Sequence, residues 1–184
     1  RERANDIDDY VSHLEGRLSA IGRTQGVLIR KPGAGVDLQE LILDELEAQA
    51  ARADQYRCHG PEVSVSPKAA EVLSLAVHEL ATNATKYGAF ADRQGRVEVE
   101  WEVEERQTGP WLRLSWVESG LDLASAPQRA GFGTELITRR VAYELGGEGE
   151  IELRPQGARA AIGFPLAPSS SIQGGNADMK EAQG

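Results

Sequence analysis

The sequence predicts an α/β sandwich, a mixed β-sheet with helices on one face. Three observations lead there. The chain has 184 residues, 40% of them apolar, enough for one domain of ordinary size with a real core. Two stretches, Val97–Val103 and Leu112–Trp116, alternate apolar and polar residues around a turn, as in a hairpin with one buried face. Helical periods precede, separate and follow the strand-like stretches, so the two element types are interleaved.

The elements follow in order. Residues 5–30 read as a helix: Ile7, Val11, Leu14, Leu18 and Ile21 step by four and three. That stripe is close to a heptad seam and suits pairing with another helix. Lys31-Pro-Gly-Ala-Gly35 is a break. Asp37 reads as an N-cap, with Glu40 three residues on, giving a capping-box-like start. A second helix then runs to about Ala53, with Leu38, Leu41, Ile42 and Leu46 inward. Glu62–Ser66 alternates like a short strand.

Ser66 and Pro67 supply an N-cap and a first-position proline for the next helix. It runs to Tyr87, and Gly88 is a plausible stop. Gln94-Gly95 begins the hairpin region, and Gln107-Thr-Gly-Pro110 is its turn. Residues 118–133 read as a loop, a helix spans about Thr134–Leu145, and Gly146-Gly147 ends it. Two strands follow, Glu150–Arg154 and Arg159–Leu166, joined by Pro155-Gln-Gly157. Beyond Pro168, Ser, Gly, Asn and Gln dominate, as in a flexible tail.

Charge and composition exclude some functions. The net charge of −9 disfavours broad binding to nucleic acid or anionic lipid. Any phosphate must therefore be held by a local arrangement. Cys58 is the one cysteine, so no intramolecular disulfide forms, which fits a reducing, cytoplasmic setting. No apolar run approaches membrane-spanning length, and no signal-peptide pattern is present. The chain opens on Arg1 rather than methionine, and a piece of something longer is expected.

Three stretches carry chemistry. On the helix ending at Tyr87, Leu73, Val77, Leu80 and Ala84 form an apolar stripe, while Glu79, Thr82, Asn83, Lys86 and Tyr87 form a polar one with His78 on its flank. Glu79 and Asn83 stand one turn apart and offer the hard oxygens that Mg²⁺ prefers. Lys86, a further turn on, suits a phosphate. An ordinary solvated helix face looks the same, and this helix alone does not decide between them. Second, Trp116-Val-Glu118-Ser-Gly120 ends a strand in a carboxylate able to accept from an exocyclic amine such as adenine's. Gly120 would let the backbone turn sharply or approach a flat ring, and Trp116 reads as core. Third, Arg129-Ala-Gly131-Phe132-Gly133-Thr134-Glu135 is a glycine pair opening a helix, an anion site or an ordinary loop-to-helix turn. It is not a P-loop, since no Gly-Lys-Ser/Thr follows.

Together, in this order, the stretches resemble the ATP-binding domain shared by histidine kinases, gyrase-type ATPases and chaperones of the Bergerat (GHKL) fold. More narrowly, the chain resembles the HWE histidine kinases, named for a histidine in the N box and a Trp-x-Glu in the first glycine box. Here those are His78, within His78-Glu-Leu-Ala-Thr-Asn83-Ala-Thr-Lys-Tyr-Gly88, and Trp116-Val-Glu118. Gly131-Phe-Gly-Thr134-Glu-Leu-Ile137 is similar to the second glycine box. Leu145-Gly-Gly147, Pro155-Gln-Gly157 and Ile162-Gly-Phe-Pro165-Leu are also family-like. The resemblance covers roughly Asp9 to Leu166.

What the resemblance implies is specific. Residues 1–30 would be the C-terminal part of a dimerisation and phosphotransfer hairpin, 31–167 the catalytic ATP-binding domain, and 168–184 a tail. Asn83 would coordinate Mg²⁺, with Glu79 as a supporting ligand or base. Lys86 would contact phosphate and Glu118 would read adenine. Tyr87, Gly120, Gly131, Phe132, Gly133 and Thr134 would line the nucleotide, and His78 would stand near the transferring phosphate. The partners would be ATP, a two-component response regulator and a second copy through the N-terminal helices, with no nucleic acid or membrane contact.

Two departures stand out. Ser119-Gly120-Leu121-Asp122 replaces the family's usual Gly-Gly-Pro after the Glu, which bears on lid shape and nucleotide affinity. The phosphoaccepting histidine is expected upstream of Arg1. His13, in Ser-His-Leu-Glu-Gly-Arg, reads as a helix-face residue, and His59 beside Cys58 as a loop residue rather than a metal ligand. The rival functions are a GHKL-type ATPase that uses Glu79 to activate water and a nucleotide-binding or scaffolding module without phosphotransfer.

Overall fold

A computed structural model describes residues 11, 14–22, 26, 35–121, 136–154 and 157–166. The elements run α1 (residues 14–22), β1 (Val36–Asp37), α2 (Leu38–Gln49), β2 (Tyr56–His59), β3 (Ser64–Val65), α3 (Pro67–Tyr87), β4 (Arg96–Arg106), β5 (Gly109–Ser119), α4 (Val141–Leu145), β6 (Glu148–Arg154) and β7 (Gly157–Pro165). A π-helical turn, Leu136–Arg140, leads into α4. The main sheet has five strands in the order β2-β4-β5-β7-β6. Its β2–β4 pair is parallel and the other three pairs are antiparallel. The expected mixed sheet with helices is what forms.

Alternation puts the core on one face of the sheet. In register, Val99 faces Trp116, Trp101 faces Leu114 and Val103 faces Leu112 across β4–β5. Leu114 faces Ile162 and Leu112 faces Phe164 across β5–β7. Leu112, Leu114 and Trp116 are fully buried. Burying each such side chain stabilises by about 1.5–3 kcal/mol. The alternate residues Glu98, Glu100, Glu102 and Arg113 point outward and are exposed, a sheet with one packed and one open face.

The caps were legible. Asp37 Oδ1 accepts from Glu40 N at 2.8 Å, and Ser66 Oγ accepts from Ala69 N at 3.2 Å with Pro67 following. Gly146, in the left-handed region at φ 63, ends α4, as the glycine pair predicted.

Some expectations need correction. The strand expected at Glu62–Ser66 is Ser64–Val65, and it pairs with Val36–Asp37 in a separate two-stranded ladder. One edge of the main sheet belongs to β2, which the sequence reading passed over. Only four residues long, β2 shows too little alternation to stand out. His59 therefore lies on a strand, with Nε2 3.0 Å from Glu100 Oε1, not in a loop. The second helix ends at Gln49 rather than near Ala53, with the Ala50 N–H donating to Leu46 O. The loop expected from residue 118 starts later, because Glu118 and Ser119 belong to β5.

The first helix packs on the body by only part of its apolar stripe. Val11, Leu14 and Leu18 of its apolar stripe are exposed, while Ala20 on another side is fully buried. Ile21, at the C-terminal end of the stripe, packs against the core, while the first part of the seam faces away from the body.

Candidate functional site

α3 is the spine of the site. From Val72 to Ala81 every residue is buried, because the sheet covers one side and α1 and α2 the other. The two-faced helix expected from the sequence is thus corrected: the open polar strip begins at Thr82, a turn late. Thr82, Asn83 and Lys86 are half-buried and Tyr87 is exposed.

His78 and Glu79 are both buried, 3% and 2% exposed. Each is paired. His78 Nδ1 lies 3.1 Å from Glu45 Oε2 on α2, and His78 Nε2 lies 3.5 Å from Thr82 Oγ1. Arg17 Nε on α1 donates to Glu79 Oε1 at 2.5 Å. Ser74 Oγ, one turn before His78, donates to the Ala20 carbonyl and reaches Glu45 Oε1, each at 3.4 Å. A buried polar group is tolerable only when hydrogen-bonded, and these groups satisfy one another across three helices. Sequence reasoning missed Gly16, Arg17 and Glu45. A signal existed for Glu45, an acid among Leu38, Leu41, Ile42 and Leu46 on the buried side of α2.

The Trp-x-Glu stretch folds against the end of α3. Period two sends Trp116 and Glu118 to the same inner face of β5. Trp116 is fully buried, as expected of core, and Glu118 is 6% exposed. Glu118 Oε2 accepts from Ala89 N at 3.0 Å, and Trp116 Nε1 donates to Glu118 Oε1 at 3.4 Å. Burial pushes the Glu118 carboxyl above its ordinary range, against the pull of hydrogen bonds from Ala89, Trp116 and Ala158.

Glycines let these parts close. A Cβ on Gly88 would collide with Glu118 Oε2. Gly120 stands in the left-handed region at φ 80, where a Cβ would meet the Gln94 carbonyl. Gln55, 2% exposed, donates from Nε2 to Asp92 O at 3.0 Å and Ala89 O at 3.5 Å. The Ala89 peptide is therefore gripped from both sides, by Glu118 on its N–H and Gln55 on its carbonyl. Gly131, Phe132, Gly133, Thr134 and His13 lie outside the described residues, as do residues 168–184.

This fold and this meeting of a helix end with a strand-end carboxylate define the catalytic-domain class of the histidine kinases, and three comparisons agree. A model of the HWE histidine kinase family matches residues 1–62. The blue-light-activated histidine kinase of Brucella anthropi is 34% identical over 151 residues, covering 82% of this chain and 31% of that protein. The protein of the same name from Brucella ovis is 30% identical over 153 residues, covering 83% of this chain and 31% of that protein.

Among solved structures, the histidine kinase domain of the Erythrobacter litoralis EL346 blue-light activated histidine kinase superposes with a TM-score of 0.61 at 20% identity. That match covers 84% of this chain and 75% of that one, and it shows the fold. The chain belongs to the HWE histidine kinase family. It spans about a third of the length of the curated relatives it matches.

Proposed function

We propose that the chain binds Mg–ATP and directs its γ-phosphoryl group to a histidine imidazole, for relay to an aspartate of a response regulator. The observation that carries this reading is the contact between Ala89 N and Glu118 Oε2. It joins the chain just past α3 to the end of β5, 29 residues on, with Asn83 and Lys86 on the last two turns of α3.

The residues fit their proposed tasks. Glu118 accepts from its neighbours and, as a carboxylate, retains acceptor capacity for an adenine amino group. Gly88 leaves space beside it that any side chain would fill. Among the described residues, no group of three or more His, Cys, Asp or Glu could hold a metal ion. A cation at this site would thus rest on one or two protein oxygens, phosphate oxygens and water. Asn83 would supply the first of these and Glu79 the second. Bound there, Mg²⁺ would neutralise phosphate charge during transfer.

Asn83 and Lys86 position the triphosphate, and most of the rate comes from positioning and charge neutralisation. An imidazole nitrogen then takes the phosphoryl group as the bond to ADP breaks. Glu79 holds the acceptor's proton or orients its ring. Residues 1–30 would be the hairpin portion, 31–167 the catalytic unit and 168–184 a tail. A second copy docked through the N-terminal helices fits the exposed Val11, Leu14 and Leu18. Among the described residues no helix is long and apolar enough to cross a membrane, and we place the catalytic unit in the cytoplasm.

Calorimetry with Mg–ATP, together with an assay for acid-labile phosphohistidine on the full-length protein, tests the reading. Binding and phosphohistidine, both lost in Asn83→Asp, are expected. Free phosphate without phosphohistidine would favour the ATPase, and no binding at all would favour a scaffold.

A further inference from the structure

Two consecutive residues of α1 meet two consecutive residues of α3. Gly16 lies against His78, and Arg17 pairs with Glu79. A Cβ on Gly16 would stand 2.7 Å from His78 Nε2 and 3.0 Å from His78 Cε1, so α1 comes this close only because that position is glycine. Glycine is otherwise a poor choice inside a helix. One turn on, the Ala20 carbonyl accepts from Ser74, so α1 forms a wall of the buried polar cluster of Ser74, His78 and Glu45.

The Arg17 contact bears on chemistry. The Glu79 side chain is 3% exposed and the Arg17 side chain over it 25%. A carboxylate held by a guanidinium at 2.5 Å is covered by it and screened from other partners. While the pair stands, Glu79 lies buried beneath Arg17 and cannot reach a substrate or a cation. We propose that Arg17 gates Glu79: with α1 seated on Gly16, the pair holds Glu79 out of the reaction, and displacement of α1 releases it. This rests on the role given to Glu79 above. The seat is a two-state element of the kind an input to α1 can bias. Its position on α1 makes the N-terminal helix both a scaffold and a control on α3.

The test measures phosphohistidine formation by the full-length protein at saturating Mg–ATP, with KM for ATP and the melting temperature alongside. Arg17→Gln should raise kcat about fivefold or more with little change in KM, and Arg17→Lys should fall between it and the parent. Gly16→Ala unseats α1 without altering either charge and should move kcat in the same direction, which keeps the test decisive if Arg17→Gln folds poorly. Glu79→Gln should be inactive, alone or combined with Arg17→Gln. If it is inactive while neither Arg17→Gln nor Gly16→Ala exceeds the parent rate, the gate is wrong and the kinase reading stands. If Glu79→Gln turns over like the parent, the role of Glu79 falls, and the gate with it.

Discussion

Glu118 shows how one side chain serves both packing and recognition. Its carboxylate takes the Ala89 N–H and the Trp116 indole N–H, so Glu118→Ala strands both donors. Each buried, unpaired donor costs about 1–3 kcal/mol, and chemical denaturation should show a loss of that size along with lost nucleotide binding. The pH dependence has a definite sign. Burial raises this carboxyl above its ordinary range, so its contribution to stability is full below the pKa of the unfolded chain and is lost as pH rises through the folded-state pKa. Melting temperatures of the parent and Glu118→Gln, compared from acid to neutral pH, should show the parent losing ground as pH rises. A parallel pair of curves would contradict this. The Trp-x-Glu spacing was readable as two inward strand positions. What the Glu touches was not, because its partner lies 29 residues away.

His78 and Glu45, 4% and 2% exposed in their side chains, form the second residue-scale case. Removing one partner of a buried hydrogen-bonded pair, and leaving the other unsatisfied, costs about 1–3 kcal/mol. His78→Leu should lose stability on that scale in urea unfolding, and Glu45→Leu with His78→Leu should recover much of it. A double-variant loss equal to the sum of the losses in His78→Leu and Glu45→Leu would mean that the two side chains are not coupled.

Among the elements, α3 was the most legible. Ser66, Pro67 and Gly88 fixed its ends in the sequence. Ser66→Ala removes the bond to the Ala69 N–H and should cost about 1 kcal/mol, measurable by thermal unfolding. The extent of its burial was illegible. A sequence shows the period of a helix but not how many neighbours it will acquire, and α1 and α2 cover the side that period assigned to solvent. For the same reason β2, four residues long, went unseen: parallel pairing with β4 depends on contacts remote in the chain.

In the molecule as a whole, the layer architecture followed from alternation and interleaving, while the seating of α1 did not. The apolar stripe of α1 pointed to a seam, and the seam exists, but its first part faces outward. The side that meets the body is Gly16, Arg17 and Ala20, with Ile21 beside them, and of these only Ile21 belongs to the hydrophobic period. A chain trimmed to begin at Gly35 would uncover Ser74, His78 and Glu79. It should melt a few degrees lower, since a loss of about 1 kcal/mol shifts Tm by roughly 2–4 °C in domains of about 150–250 residues. An unchanged melting curve would show that α1 adds no stability.

The bare side of the sheet has a consequence of its own. Glu98, Glu100 and Glu102 on β4 and Glu148, Glu150 and Glu152 on β6 outnumber Arg113 and Arg159 on the strands between them, around the small Ser115 and Ala161. Uncharged, so flat and small-centred a surface would invite another sheet to lie upon it. Two such faces meeting instead bring like charge onto like, and a chain already at −9 repels its own kind at a distance as well. Colloidal behaviour is thus written into alternate positions of two strands, independently of the helices, the pocket or anything that binds there.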